Sequence, residues 1–113
     1  MPYVKLTTTK TLTLQQEVAL KKITGELISI FPNKTEDYLM IHIEDNQVMY
    51  FRGKEIECMR IGVELYRQCD TEYKKEFVQR LMKEIAHITN IPVENQYLTI
   101  HEYDHWGMDG DFI

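Results

Sequence analysis

Several residue types that carry well-defined chemistry are scarce in this 113-residue sequence. It holds two cysteines, three prolines, five glycines and one tryptophan. Cys58 and Cys69 form no CxxC pair, and two cysteines do not suggest a disulfide framework. We therefore interpret both as reduced thiols. Because the chain has the length of one ordinary domain, we expect a single domain over residues 1–113.

An excess of positive charge and a long apolar run are also missing. Thirteen Lys and Arg against 18 Asp and Glu give a net charge of -5. Such an acidic chain is a poor binder of nucleic acid or of an anionic membrane, so we expect neither partner. No apolar stretch approaches the roughly 18 residues that span a bilayer. The segment MPYVKLTTTK lacks the apolar core of a signal peptide, and we expect a cytoplasmic protein.

The apolar residues alternate between two periods along the chain. Two-residue alternation predicts strands in YVKLT, DYLMIHIED, CMRIGVELYRQ and NQYLTIHEY, and NQVMYFRG is a further short candidate. Thr13 with Gln16 forms a capping-box pattern and predicts a helix that runs to Phe31. The residues expected on its inward face are Val18, Ala19, Ile23, Leu27 and Ile30.

A second helix is predicted to begin at Asp70 or Thr71 and to be closed by Pro92. The element order β-α-β-β-α-β then has two similar strand–helix–strand halves. It predicts a two-layer α+β domain with one sheet and both helices on one face. A bare second face would be an association surface. Because the strands are rich in Ile, Val, Leu, Met and Tyr, we expect the sheet to pack on both sides in an oligomer.

The segment from His101 to His105 fits the H-E-x-x-H pattern of zinc metalloproteases. Residues four apart in a helix lie about 5–6 Å from each other and can share a metal. In a strand, four residues span about 13 Å. The preceding residues are strand-like, Trp106 and Gly107 stop a helix, and no His or Cys follows as a third ligand. We therefore predict two strand or turn histidines and no metal site.

Pro2 lies directly ahead of the first predicted strand. A proline after the start methionine is a familiar substrate for methionine removal, which would leave a free secondary amine. An α-amino group titrates at about 8 in model peptides, and burial or a nearby cation lowers that value. Such an amine is a candidate general base. The alternative is that Pro2 begins an edge strand, where its missing N–H does no harm.

Met1-Pro2 ahead of a strand, the element order and the length together resemble the tautomerase superfamily. The resemblance is greatest to its macrophage migration inhibitory factor branch, which includes phenylpyruvate tautomerases and dopachrome tautomerase. The best local matches are MPYVKL, NKTEDYLMIHIEDNQVMYFRG and IPVENQYLTIHEYDHW. The resemblance spans essentially the whole chain. It implies a mixed four-stranded sheet with two helices on one face, and a trimer whose three sheets surround a central barrel.

The resemblance also implies a set of site residues. Pro2 corresponds to the proline that shuttles the proton, Lys34 to the lysine that pairs with the substrate carboxylate, and Tyr38 to an aromatic at the pocket edge. The remaining positions lie in the pocket wall and in the apolar rim near the C-terminus. These are Leu65, Tyr66, Trp106 and Phe112.

One part of the implied site departs from the family. The last strand of this branch typically lends a Tyr and an Asn to the neighbouring subunit's pocket, and these positions hold Thr99 and His101 here. His101 could bind the substrate carbonyl or deliver a proton at neutral pH.

The implied activity is keto–enol tautomerisation of a 2-oxo acid such as phenylpyruvate by a homotrimer without a cofactor. A non-catalytic trimeric binding or signalling module with the same fold is one alternative. Dehalogenation or decarboxylation is another, and those members use extra arginines around the proline. The first helix has Lys21 and Lys22 but no Arg, which leaves Arg52 and Arg67.

Overall fold

A computed structural model describes all residues, 1–113, and contains one four-stranded sheet, two α-helices and a C-terminal β-hairpin. The sheet consists of β1 (Pro2–Thr8), β2 (Met40–Glu44), β3 (Met59–Tyr66) and β4 (Gln96–Tyr103). The helices are α1 (Leu14–Leu27) and α2 (Thr71–Thr89), and the hairpin pairs β5 (Gly107–Met108) with β6 (Asp111–Phe112). The predicted α+β domain with a mixed four-stranded sheet and two helices is confirmed.

The strands are ordered β2-β1-β3-β4. β1 runs parallel to β2, and β3 runs parallel to β4, because each pair is joined by a crossover helix. The two halves meet where β1 pairs antiparallel with β3. β1 is therefore a central strand, and Pro2 pairs with Leu65 at its beginning. The alternative that Pro2 begins an edge strand is wrong.

Helix α1 begins and ends close to the predicted positions. The Thr13 hydroxyl accepts the Gln16 N–H at 3.1 Å, and the Gln16 side chain accepts the Thr13 N–H at 2.9 Å, which completes the capping box. After Leu27 the chain makes one 3-10 turn instead of continuing the helix. The predicted inward face is wrong in part, because Val18 is 57% exposed. The buried residues of the helix are Leu20, Thr24, Gly25 and Leu27, a stripe that a polar threonine interrupts.

Helix α2 begins after Asp70, as predicted, but Asn90 ends it before Pro92 is reached. Asn90 has the left-handed φ of 62° that is typical of a helix C-terminus. Both helices cover the same face of the sheet, and the core between them includes Phe31 and Phe77, whose ring centroids lie 4.7 Å apart. Neither helix is long and apolar enough to cross a lipid bilayer.

The sheet face that points away from the helices is polar and aromatic. Alternation places nearly all strand Ile, Val and Leu side chains toward the helices and leaves polar residues on the other face. There the Tyr3 hydroxyl lies 3.0 Å from His42 Nδ1. Glu44 lies 3.1 Å from His42 Nε2 and 3.3 Å from Lys5 Nζ. We call this polar surface the open face.

Truncation of Phe77 tests the core. Because this side chain is fully buried against Phe31, Phe77→Ala should lower the free energy of unfolding by about 3–5 kcal/mol. Chemical denaturation at one fixed protein concentration measures the change. Phe112→Ala is the matched control, since that ring is 71% exposed, and it should change stability by less than about 0.5 kcal/mol. Equal losses for both variants would contradict this core assignment.

Candidate functional site

The N-terminus is tied to the end of β3 and to the loop after α1. The Tyr66 N–H donates to the Met1 carbonyl at 3.3 Å, and the Tyr66 carbonyl accepts a hydrogen bond from Lys34 Nζ at 3.2 Å. One residue, Tyr66, therefore holds both the chain terminus and the predicted carboxylate-binding lysine. The terminal amine and the Lys34 ammonium are brought into one small region.

Two clefts open on either side of Met1. The first, of about 450 Å³, we call the basic cleft; its lining includes Met1, Lys34, Tyr66, Arg67, Cys69 and Tyr73. The second, of about 470 Å³, we call the aromatic cleft; its lining includes Met1, Pro2, Tyr38, Met40, Glu64 and Trp106. Met1 is the residue that both clefts share. Removal of Met1 would leave the Pro2 nitrogen where the two clefts meet.

The environment of the terminal amine favours its neutral form. Burial and the positive charge of Lys34 both lower the pKa of the Met1 amine below its usual value. In a chain that begins at Pro2, the terminal nitrogen would lie one residue further along the same strand. A lowered pKa means that the Met1 amine loses its proton at a lower pH than an ordinary terminal amine.

The basic cleft carries a second cation that was not predicted as a site residue. Arg67 has a left-handed backbone with φ 73°, and its N–H donates to the Tyr103 carbonyl at 2.8 Å. Its guanidinium lies 5.0 Å from the centre of the Tyr66 ring. Asp70 is the one acidic residue in the lining. Lys34 and Arg67 outweigh it and make the cleft suited to a carboxylate.

Glu102 holds the loop that carries Arg67 against the end of β4. Its carboxylate accepts the Cys69 N–H at 2.8 Å and the Lys74 ammonium at 2.6 Å. Burial alone would raise the pKa of Glu102, but the hydrogen bonds from Lys74 and Cys69 lower it. The pKa of Lys74 is raised by the same contact, and the pKa of the Cys69 thiol is raised by burial and by Glu102. This ion pair joins α2, β4 and the wall of the basic cleft.

The structure brings five of the predicted site residues to the N-terminus. They are Pro2, Tyr38 and Trp106 in the aromatic cleft, and Lys34 and Tyr66 in the basic cleft. Leu65 is placed differently. It is fully buried in the core and lines neither cleft, because adjacent strand residues point to opposite faces. The assignment of Leu65 to the pocket wall is therefore wrong.

The other three predicted residues lie outside both clefts. Thr99 and His101 line a groove of about 340 Å³ on the open face, together with Lys5 and Arg60. Phe112 belongs to the C-terminal hairpin and stacks on His105 with 5.8 Å between ring centroids. Within a single chain these three side chains are not part of the N-terminal site.

The two histidines of the H-E-x-x-H segment have separate surroundings. His101 lies on β4 and stacks on Tyr103 at 4.1 Å between centroids, whereas His105 follows the strand and contacts Phe112. No group of three or more His, Cys, Asp or Glu residues is arranged to hold a metal ion.

Comparison with known proteins supports the fold through structures and not through sequence. No family model and no curated protein matches the chain. The structure of MIF2 from Leishmania major superposes with a TM-score of 0.92 at 22% identity, covering 100% of this chain and 97% of that one. The macrophage migration inhibitory factor homologue from Prochlorococcus marinus gives 0.87 at 17% identity, with 97% of each chain covered. The chain has the macrophage migration inhibitory factor fold.

A third similar structure is Pt0534 inactivated by 2-oxo-3-pentynoate, with a TM-score of 0.83 at 14% identity over 96% of this chain and 92% of that one. The resemblance seen in the sequence is thereby confirmed at the level of the fold.

Two cleft residues, Arg67 and Glu64, were not predicted as site residues from the sequence. Arg67 follows the predicted Tyr66, and Glu64 precedes it by two positions on the same face of β3. Because residues two apart in a strand point to the same face, the predicted Tyr66 could have indicated Glu64 as a second site residue.

The pKa of the terminal amine gives a direct test of this geometry. Because the Lys34 charge lowers it, Lys34→Met should raise the pKa of the amine. The pH dependence of acylation of the N-terminus, followed by mass spectrometry, measures the change. Lys22→Met, which removes an exposed lysine from α1, is the matched control and should leave the pKa unchanged. The same pKa in both variants would show that Lys34 does not act on the amine.

The Glu102 ion pair should contribute to stability over a defined pH range. A lowered carboxylate pKa stabilises the fold above its unfolded value of about 4.3, and this contribution is lost as the pH falls through the folded value. Glu102→Gln should therefore cost about 1–2 kcal/mol at pH 7, and the difference should shrink below about pH 4. Thermal and denaturant unfolding across this range measure it.

Thiol labelling provides a second measurement on the Glu102→Gln variant. Loss of the Glu102 charge should lower the pKa of Cys69 and speed its reaction with a disulfide reagent at pH 7.5. Cys58 is buried and should remain unreactive in both proteins. A stability loss that is independent of pH, with unchanged Cys69 reactivity, would contradict the electrostatic role.

Proposed function

We propose that this protein is a cofactor-independent keto–enol tautomerase of 2-oxo acids such as phenylpyruvate, with the Pro2 amine as its general base after removal of Met1. One observation carries the proposal. The N-terminus lies between a basic and an aromatic cleft, where burial and Lys34 lower the pKa of the terminal amine. A cationic site for the carboxylate, a proton acceptor and an aromatic surface follow one another in the order of the carboxylate, C3 and ring of phenylpyruvate.

The basic cleft would hold the substrate carboxylate through Lys34 and Arg67. An arginine offers paired N–H donors that match the geometry of a carboxylate, and Lys34 adds a point charge. The aromatic cleft would take the ring of the substrate between Tyr38 and Trp106. The inactivation of the similarly folded Pt0534 by a 2-oxo acid supports this class of substrate.

The reaction is a 1,3 proton shift in which atoms and charge balance. The neutral Pro2 nitrogen takes a proton from C3, the C–H electron pair becomes the C2–C3 double bond, and the carbonyl π pair moves to the C2 oxygen. The Pro2 ammonium then gives the proton to that oxygen and yields the enol. A donor near the oxygen, His101 or a backbone N–H near Tyr66, would stabilise the enolate.

A complete site requires more than one copy of the chain under this proposal. Thr99, His101 and Phe112 lie outside both clefts in the single chain, yet they occupy positions that the resemblance assigns to the pocket. We infer a homotrimer with pockets between subunits, in which a neighbouring β4 supplies Thr99 and His101. The mixed polar and aromatic composition of the open face is compatible with such a contact.

The enzymatic proposal is tested by phenylpyruvate ketonisation, followed by ultraviolet absorbance, on protein whose Pro2 terminus is established by intact mass. Acetylation of the Pro2 nitrogen should reduce kcat/KM by about 10²–10⁴-fold, because a general base contributes about this much. Pro2→Gly should lower kcat/KM by at least about tenfold, since it retains an amine but changes its basicity.

Two outcomes separate the candidate functions. Full activity in the Pro2→Gly and acetylated proteins would exclude Pro2 as the base even if the protein is a tautomerase. No activity above buffer in the Pro2-terminated protein would favour the alternative, a non-catalytic trimeric binding or signalling module. The replacement of the family's usual Tyr and Asn by Thr99 and His101 is the observation that keeps this alternative open.

Dehalogenation would also need a cation beside Pro2, and Arg67 brings one to the basic cleft. Arg52 does not, because it lies over the Phe51 ring and donates to the Glu94 carbonyl. Lys21 is paired with Glu36, 3.2 Å away. With a single arginine at the site, carboxylate binding for tautomerisation is the better-supported role.

A further inference from the structure

Glu64 is the one carboxylate that lines the aromatic cleft, and its side chain forms no ion pair within the chain. It is half-buried on β3, between Tyr3 and His101 on the neighbouring strands. Other strand carboxylates are paired: Glu44 with Lys5, and Glu102 with Lys74. A half-buried carboxylate that lacks such a partner is suited to meet a ligand.

The rest of the aromatic cleft matches a positively charged group. Tyr38 and Trp106 supply aromatic rings, Met40 and Met108 supply polarisable surface, and no lysine or arginine side chain is in the lining. Aromatic faces attract cations, and quaternary ammonium ligands are typically held in such aromatic surroundings. A carboxylate beside these rings adds a direct charge partner.

No ion pair joins the Met1 amine to Glu64, because the ion pairs of the chain involve other carboxylates. The pKa of that amine is lowered by burial and by Lys34. Glu64 also lines the groove on the open face, where Lys5 is paired with Glu44 and Arg60 donates to Thr99. The carboxylate of Glu64 therefore has no charge partner within the chain and can meet a ligand in the aromatic cleft. The two clefts carry opposite charges on the two sides of Met1.

We propose that Glu64 is a specificity-determining residue that selects 2-oxo acids with a positive charge at the end remote from the carboxylate. The inference rests on the proposed function, because the basic cleft must hold the carboxylate for the remote end to enter the aromatic cleft. The preferred substrate is then a zwitterion, with its anion at Lys34 and Arg67 and its cation at Glu64.

Substrates that differ in remote charge test this selection. We would compare 4-(trimethylammonio)phenylpyruvate with 4-carboxyphenylpyruvate, using phenylpyruvate as the neutral reference. In the wild-type protein, kcat/KM should be at least about fivefold higher for the cation than for the anion, as expected of a partly screened ion pair. Glu64→Gln should remove this ratio, and Glu64→Lys should invert it. Glu55→Gln, at an exposed loop position, is the matched control and should keep the wild-type ratio.

Binding is measured separately with 3-arylpropanoates that carry the same ring substituents and lack the 2-oxo group. Quenching of Trp106, the only tryptophan, reports their binding in the aromatic cleft. A charge preference in binding that Glu64→Gln removes supports the inference. If the same protein turns over no substrate, only the tautomerase proposal is excluded. Turnover without a charge preference, or with one that Glu64→Gln leaves intact, overturns the inference alone. If the wild-type protein neither binds nor turns over these compounds, both the inference and the proposed function are overturned.

Discussion

The central position of β1 is the constraint on which the candidate site depends. A terminal strand at a sheet edge can fray, but β1 is hydrogen-bonded to β2 on one side and to β3 on the other. The bond from Tyr66 extends this pairing to Met1. The chain terminus is therefore fixed relative to Lys34. Burial and the lysine charge can lower the pKa of the terminal amine only because the amine is held in place.

Each of the two strand–helix–strand halves contributes different residues to the site. The first half supplies the N-terminus and the loop with Lys34 and Tyr38. The second half supplies Glu64 and Tyr66 on β3, and its β3–α2 loop supplies Arg67. Glu102 and Lys74 join that loop to β4 and to α2. Each cleft contains side chains from both halves, so their antiparallel junction at β1 and β3 determines the shape of both.

Much of the fold could be predicted from the sequence because it depends on local periodicity. Four strands and two helices follow from apolar alternation and helix caps, and the structure confirms them. The inward face of α1 was misjudged because Thr24, a polar residue, lies in the middle of its buried stripe. Leu65 was misplaced because a strand of known extent still has two faces, and an error of one position exchanges them.

The site was less predictable, for reasons of geometry. Pro2, Lys34, Tyr38, Tyr66 and Trp106 were placed near one another through the family resemblance. Glu64 and Arg67 carry ordinary surface charges, and only the three-dimensional arrangement of β3 brings them to the N-terminus. The part played by His101 depends on contacts beyond a single chain, which no periodicity within one sequence can express.

The position of Met1 between the clefts has a consequence for how the protein is made and handled. A residue ahead of Pro2 forms a partition, and the polypeptide then presents two separate compartments in place of one continuous site. Chains that differ by this one residue would differ in which ligands fit, as well as in reactivity. A label or fusion attached before Pro2 would produce the partitioned form. Preparations with different N-termini would therefore bind different ligands.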